Sequence, residues 1–151
     1  MSSLKTKLIE DISALGALPF FLVIILMLYL LNQISFALQL FVGILAAHII
    51  TYLIRLVYHK KRPKPQKYRS LIEKIDASSF PSLHSVRAMT FVIIGIVNIK
   101  SALTIFFFSV YALSIMFSRY YLKKHHLTDI LAGAIIGFCI GLLVILTAPF
   151  Y

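Results

Sequence analysis

Apolar residues run almost unbroken over five stretches of this 151-residue chain, and charged residues crowd into the gaps between them. The runs cover residues 14–31, 34–58, 81–98, 102–117 and 127–147. Each approaches the ~20 residues that a helix needs to cross the hydrocarbon of a bilayer. Asn32-Gln33 makes a tight break between the first two runs, and a short turn over 98–101 separates the third from the fourth. Pro19 falls near the start of the first run, where a proline does least damage. Pro81 suits the first position of the third helix, with Ser79 or Ser82 to cap its free amides. Gly133, Gly137 and Gly141 repeat every four residues, a smooth stripe on which another helix can sit closely. The pattern predicts an all-α integral membrane helical bundle of about five transmembrane helices. With no linker and no second composition zone, residues 1–151 read as a single membrane-embedded domain.

Composition sharpens the picture. The chain is 60% hydrophobic and 13% charged, with a mean hydropathy of +0.94. A soluble domain carries about a quarter charged residues. The N-terminus, MSSLKTKLIEDIS, lacks a small-residue cleavage site after its apolar run and is not read as a removable signal peptide. Cys139 is the single cysteine, so no internal disulfide forms, and its apolar surroundings point to packing.

The net charge of +10 comes from 15 basic and 5 acidic residues. Such a balance beside a bilayer favours anionic headgroups or phosphate-bearing ligands. Nucleic acid is excluded as a partner, because a chain this apolar offers no groove-reading module. Five spans place the N-terminus, the basic segment 58–80 and the stretch SRYYLKKHHLTD on one side of the membrane. Fourteen of the 15 Lys and Arg lie on or near that side, and Lys100 marks the other. The positive-inside rule makes this a multi-pass protein of the plasma membrane with its reactive face in the cytosol.

Three clusters share that face: Arg55-x6-Arg62-Pro63, Pro81-Ser82-Leu83-His84, and Ser118-Arg119-x5-His125-x3-Asp129. Three converging arginines repel one another unless a multiply charged anion sits among them, and guanidinium forks match phosphate oxygens two at a time. His125 and Asp129 are four apart, which on a helix puts them on one face, where the carboxylate can fix the ring's tautomer. A directed imidazole lone pair can attack phosphorus, and His84, on a separate helix, can protonate the leaving oxygen. Ser82 and the free amides at that helix start can hold a phosphoryl oxygen.

These motifs resemble those of the type 2 phosphatidic acid phosphatase family: Lys-x6-Arg-Pro, Pro-Ser-Gly-His and Ser-Arg-x5-His-x3-Asp. The resemblance covers residues 55–129, and the third motif matches at every defining position. It implies a membrane phosphatase acting on lipid phosphates without a metal or other cofactor. By resemblance Arg55, Arg62 and Arg119 bind phosphate, Ser82 assists, His84 is the acid, His125 the nucleophile and Asp129 its orienting partner. Arg55 stands where the family has Lys, which keeps the charge and changes its shape. Leu83 stands where it has Gly, and its Cβ limits how closely backbone amides approach the phosphate. Many members have six spans against the five expected here. Small size points to a polyprenyl diphosphate of the undecaprenyl-carrier type as substrate. The alternative is a glycerolipid phosphatase acting on phosphatidic acid or phosphatidylglycerol phosphate, and a non-enzymatic protein binding anionic lipid is the reading from another class.

Other polar residues admit plainer roles. Arg87 either lines the same cavity as His84 or snorkels to the interface. His126 points about 100° from His125 on a helix and at most contacts a headgroup. His125, His126 and Asp129 make a poor metal site, because adjacent histidines diverge and no further acid completes the shell. His48 reads as a packed polar residue and His59 as an interfacial one. Lys60, Lys61, Lys64, Lys67 and Arg69 read as a solvated loop at the lipid surface, and Tyr120 and Tyr121 as interface anchors.

Overall fold

The structure, a computed structural model, describes residues 2–147 apart from 65 and 67, with side chains from Leu4 onward. Pro65 and Lys67 of the basic segment, Met1 and residues 148–151 lie outside it. Among the described residues the chain is all helical: α1 (Ser2–Ala14), α2 (Leu18–Leu30), α3 (Ile34–Val57), α4 (Leu71–Ala77), α5 (Leu83–Ile99), α6 (Ala102–Tyr121) and α7 (Leu127–Thr147).

The apolar runs become α2, α3, α5, α6 and α7. Of these, α3, α6 and α7 are each long and apolar enough to cross a membrane by length and composition. The first run is shorter than expected, because Leu15–Ala17 form a turn and Pro19 opens α2; α1 and α2 together make one candidate span bent by 48°. α5 has only 17 residues. Pro81 lies outside it, and the Ser82 carbonyl, not a side chain, opens the helix by accepting from the Val86 amide at 3.0 Å. At the far end Lys100 turns left-handed, with φ 49°.

Two helices go beyond the apolar runs. In α1, Leu4, Leu8 and Ile12 form an exposed stripe at helical spacing, too interrupted by Lys, Glu and Asp to read as a span. α4 is a seven-residue helix inside the basic segment. Ser70 Oγ caps it by accepting from the Glu73 amide at 3.2 Å, and Glu73 Oε2 accepts from the Arg69 amide at 2.6 Å.

α5 is the central helix, with α3, α6 and α7 around it. Leu40, Ile44, Val86, Ile94, Ile140 and Val144 join α3, α5 and α7 in one buried cluster, which Phe21 extends to α2. Lipid tails are as apolar as leucine, so helices in a bilayer associate through close packing rather than escape from water. The glycine stripe supplies that closeness. A Cβ on Gly133 would come within 2.6 Å of the Ser82 carbonyl, and one on Gly137 would collide with that of Val86. Leu22, Leu53, Leu103, Phe106, Ile135 and Leu143 point outward, an apolar exterior suited to lipid.

Candidate active site

Four helix ends meet at one end of the bundle. α3 delivers Arg55 in its last turn, α5 opens with His84 and Arg87, α6 closes with Ser118 and Arg119, and α7 starts two residues beyond His125. The loop after α3 adds Arg62 and is tied in by the Ser79 amide to the Lys60 carbonyl, 2.7 Å, and the Lys64 amide to the Lys123 carbonyl, 3.1 Å. Lys123 itself is left-handed, with φ 53°, which turns the chain from α6 toward α7.

Each motif arginine is steadied by one acceptor. Arg55 Nη2 donates to the Pro81 carbonyl at 2.9 Å, Arg62 Nη2 to the Asp76 carbonyl at 2.5 Å, and Arg119 Nη1 to Ser13 Oγ at 2.7 Å. The Nε of all three is buried without a partner. They lie close enough for their charges to act on one another and on the His125 ring. Among the described residues none of them has a carboxylate at ion-pair distance, and Asp129, the buried acid nearby, pairs with Lys60 at 2.6 Å. Arg55 and Arg119 are buried and Arg62 is half-buried, and guanidiniums so placed with spare donors and no ion-pair partner are costly unless an anion joins them.

His125 is buried in the turn before α7. Its Nδ1 donates to the Ser79 carbonyl at 2.6 Å, which leaves a lone pair on Nε2. Burial first, then the Arg119 and Arg62 guanidiniums, push its pKa down to about 3, so the ring is neutral at physiological pH. The expected His125–Asp129 hydrogen bond is replaced by this carbonyl. α7 begins at Leu127, so the helical spacing rule does not reach back to His125. Asp129 instead accepts from Lys60 Nζ, from Ser79 Oγ at 2.5 Å and from the His126 amide at 2.9 Å. It therefore fixes the segment whose carbonyl holds the ring. Lys60, read from sequence as solvated, is drawn into the site by that pair.

Ser82 is fully buried; its Oγ accepts from Ser85 Oγ at 3.0 Å, and its amide donates to the Asp129 carbonyl at 3.0 Å. That amide is spent, while those of Leu83, His84 and Ser85 precede the first intrahelical bond and have no acceptor inside the helix. Arg87 faces inward, 3.4 Å from His84 Nδ1 and 3.5 Å from His48 Nε2. His126 turns out of the cluster, with Nε2 3.2 Å from the Lys61 carbonyl. The paired histidines thus face different carbonyls rather than one ion. Sequence reasoning missed Ser13, Lys60 and Ser79, whose links span 106, 69 and 50 positions and leave no local signal.

Two openings flank the cluster. A polar cavity of about 400 Å³ is lined by Glu10, Arg62, Lys64, Lys123 and Lys124, and a cleft of about 850 Å³ by Phe117, Tyr120, Tyr121, His125 and Leu127.

The PAP2 superfamily model matches residues 36–150. The chain belongs to the PAP2 superfamily. It is thus a membrane lipid phosphatase, as the three motifs imply. A PAP2-type phosphatidylglycerolphosphate phosphatase from Bacillus subtilis superposes with a TM-score of 0.78 at 22% identity, over 94% of this chain and 75% of that one. Aquifex aeolicus LpxE does so with a TM-score of 0.78 at 18% identity, over 94% and 86%. At these identities the likeness is one of fold. No curated protein matches the sequence. The PAP2 match begins at Phe36, after α1 and α2, so Ser13 lies outside the matched region.

Proposed function

We propose that this PAP2 protein hydrolyses a polyprenyl diphosphate, of the undecaprenyl-carrier type, through a phosphohistidine intermediate and without a metal or other cofactor. The observation that carries the reading is the cluster of Arg55, Arg62 and Arg119, none of them in an ion pair among the described residues, beside the neutral, aimed imidazole of His125. Arg55, Arg62 and Arg119 take the phosphoryl oxygens with the donors their single protein bonds leave over. Ser82 keeps its hydroxyl hydrogen for the same group, and the α5 amides, including that of Leu83, add to the field. His125 Nε2 attacks the terminal phosphorus as the bond to the bridging oxygen breaks, and His84 serves the oxygen that leaves. Water then cleaves the phosphorus–nitrogen bond and frees phosphate. Asp129 acts by holding Ser79 and Lys60. His126 is a headgroup contact at most.

The aromatic cleft suits a lipid tail and the basic cavity a headgroup. Phosphatidic acid or phosphatidylglycerol phosphate is the second reading, supported by the activity named for the Bacillus subtilis neighbour. A phosphate-release screen of the purified protein over both lipid classes decides between them. His125→Ala abolishes release in either case, whereas charge-based lipid binding alone would survive it. Activity persists in a chelator and stops with vanadate, which mimics pentacoordinate phosphorus; strict dependence on Mg²⁺ would count against metal-free chemistry.

The site faces the cytosol of the plasma membrane in this reading, on the strength of the basic residues gathered at its end. Single variants Lys64→Cys and Lys100→Cys, labelled in intact cells with an impermeant thiol reagent, test it. Reaction at Lys64→Cys from outside would reverse the orientation.

A further inference from the structure

Arg87 belongs to none of the three motifs, yet it is buried at the site, 4% exposed, with no carboxylate partner among the described residues. Its guanidinium lies over Phe21, 5.9 Å from the ring centroid, and its terminal nitrogens face two imidazoles. Nη1 is 3.5 Å from His48 Nε2, and Nη2 is 3.4 Å from His84 Nδ1. The protons along this line are ordered from its far end. His48 Nδ1 lies 2.8 Å from the Ile44 carbonyl, which only accepts. His48 therefore carries its proton on Nδ1 and turns a lone pair toward Arg87. A guanidinium has hydrogens at both ends and no lone pair to offer, so His84 meets it with a bare Nδ1. The single proton of His84 then sits on Nε2. A second proton, on Nδ1, would point into a guanidinium hydrogen.

This arrangement bears on the leaving group. A phosphate monoester expels a strongly basic alkoxide, which needs a proton from a charged imidazolium as the bond breaks. A diphosphate expels a phosphate monoester, whose second ionisation lies near ~6 and which needs only a hydrogen bond. A neutral imidazole donates that hydrogen bond readily but does not surrender its last proton.

We infer that Arg87 is a positioning residue that locks His84 as an uncharged Nε2–H donor and so fits the site to phosphoanhydrides rather than phosphate monoesters. This rests on the histidine chemistry proposed above. As His125 Nε2 bonds to the terminal phosphorus, the electron pair of the broken bond stays on the bridging oxygen. That oxygen leaves as lipid monophosphate, hydrogen-bonded by His84 and not protonated by it. Both hydrogens of the hydrolytic water depart on phosphate as H₂PO₄⁻, and His125 returns neutral.

The test compares a polyprenyl diphosphate with the monophosphate of the same tail, using the full chain purified in detergent. The wild type should favour the diphosphate in kcat/KM by about 10²-fold or more, the scale of withheld acid catalysis. Arg87→Met frees Nδ1 of His84, and the ratio should fall at least about tenfold. A wild type equally fast on both lipids, or a variant that loses both activities in proportion, would overturn the inference while leaving His125 chemistry intact. Release from neither lipid, or release unaffected by His125→Ala, would overturn both. Nitrogen-15 spectra of His84 in the wild type need no variant to fold. They should show Nδ1 bare and Nε2 protonated at neutral pH, and a doubly protonated ring would end the proposal.

Discussion

Ser13, in the last turn of α1, accepts a 2.7 Å hydrogen bond from Arg119 Nη1 at the end of α6. The turn after it also closes on the site: a Cβ on Gly16 would stand 2.9 Å from His84 Cδ2. The N-terminal segment is thus a wall of the site and aims one of its cations. Ser13→Ala should lower kcat/KM for lipid phosphate by about tenfold, since a hydrogen bond to a charged group is worth about 1.5–3 kcal/mol. Ser13→Thr should restore most of it. Unchanged kinetics in Ser13→Ala would reduce α1 to a spacer.

Asp129 supports the loop more than the ring. Asp129→Asn should lower the melting temperature in detergent, because the buried carboxylate joins Lys60, Ser79 and the His126 amide. Lys60 is 28% exposed, so solvent weakens the pair and Lys60→Met should cost less. The double variant should be no worse than Asp129→Asn alone, and full additivity would mean the two side chains act independently.

Acid should loosen the fold through His125. Its folded pKa of about 3 lies below the unfolded value near 6.5, so between those limits the unfolded chain binds more protons. Stability should therefore fall as pH drops below 6.5, by up to about 1.4 kcal/mol per pH unit. Thermal melts from pH 7 to pH 4 should show a smaller decline in His125→Gln than in the wild type. Equal slopes would mean that the ring titrates freely.

Gly137→Ala puts a methyl group into the Val86 carbonyl across the α5–α7 contact. Overpacking of this kind costs about 1–3 kcal/mol, and the melting temperature should fall accordingly. Ile135→Ala, at an outward position 65% exposed, should change it little. Similar losses in both would argue against glycine as the reason the helices sit so close.

The long helices were legible because a membrane span announces itself by unbroken apolar length, which held for α3, α6 and α7. The motif residues could be picked out through their resemblance to the three family patterns, and the structure brings His84, Arg119 and His125 close enough for their charges to interact. α1 and α4 were not legible, since one alternates Lys and Glu with its leucines and the other hides a Ser70–Glu73 cap in a basic loop. The His125–Asp129 pairing went astray because a rule for helix faces was applied to a residue in a turn. Ser13 meets Arg119, Ser79 meets Asp129 and His48 meets Arg87 only through the tertiary fold, and no local pattern carries that information.

The glycines of α7 have a last consequence. Because Gly133 and Gly137 seat α7 against the main chain at Ser82 and Val86, the spacing of the two helices where α5 begins is inherited from backbone geometry, not from bulky side chains. The aromatic residues of the proposed tail cleft, Phe117, Tyr120 and Tyr121, stand on α6, outside that contact. A lineage could therefore exchange one membrane substrate for another by resculpting its periphery, with the chemical centre carried along unaltered.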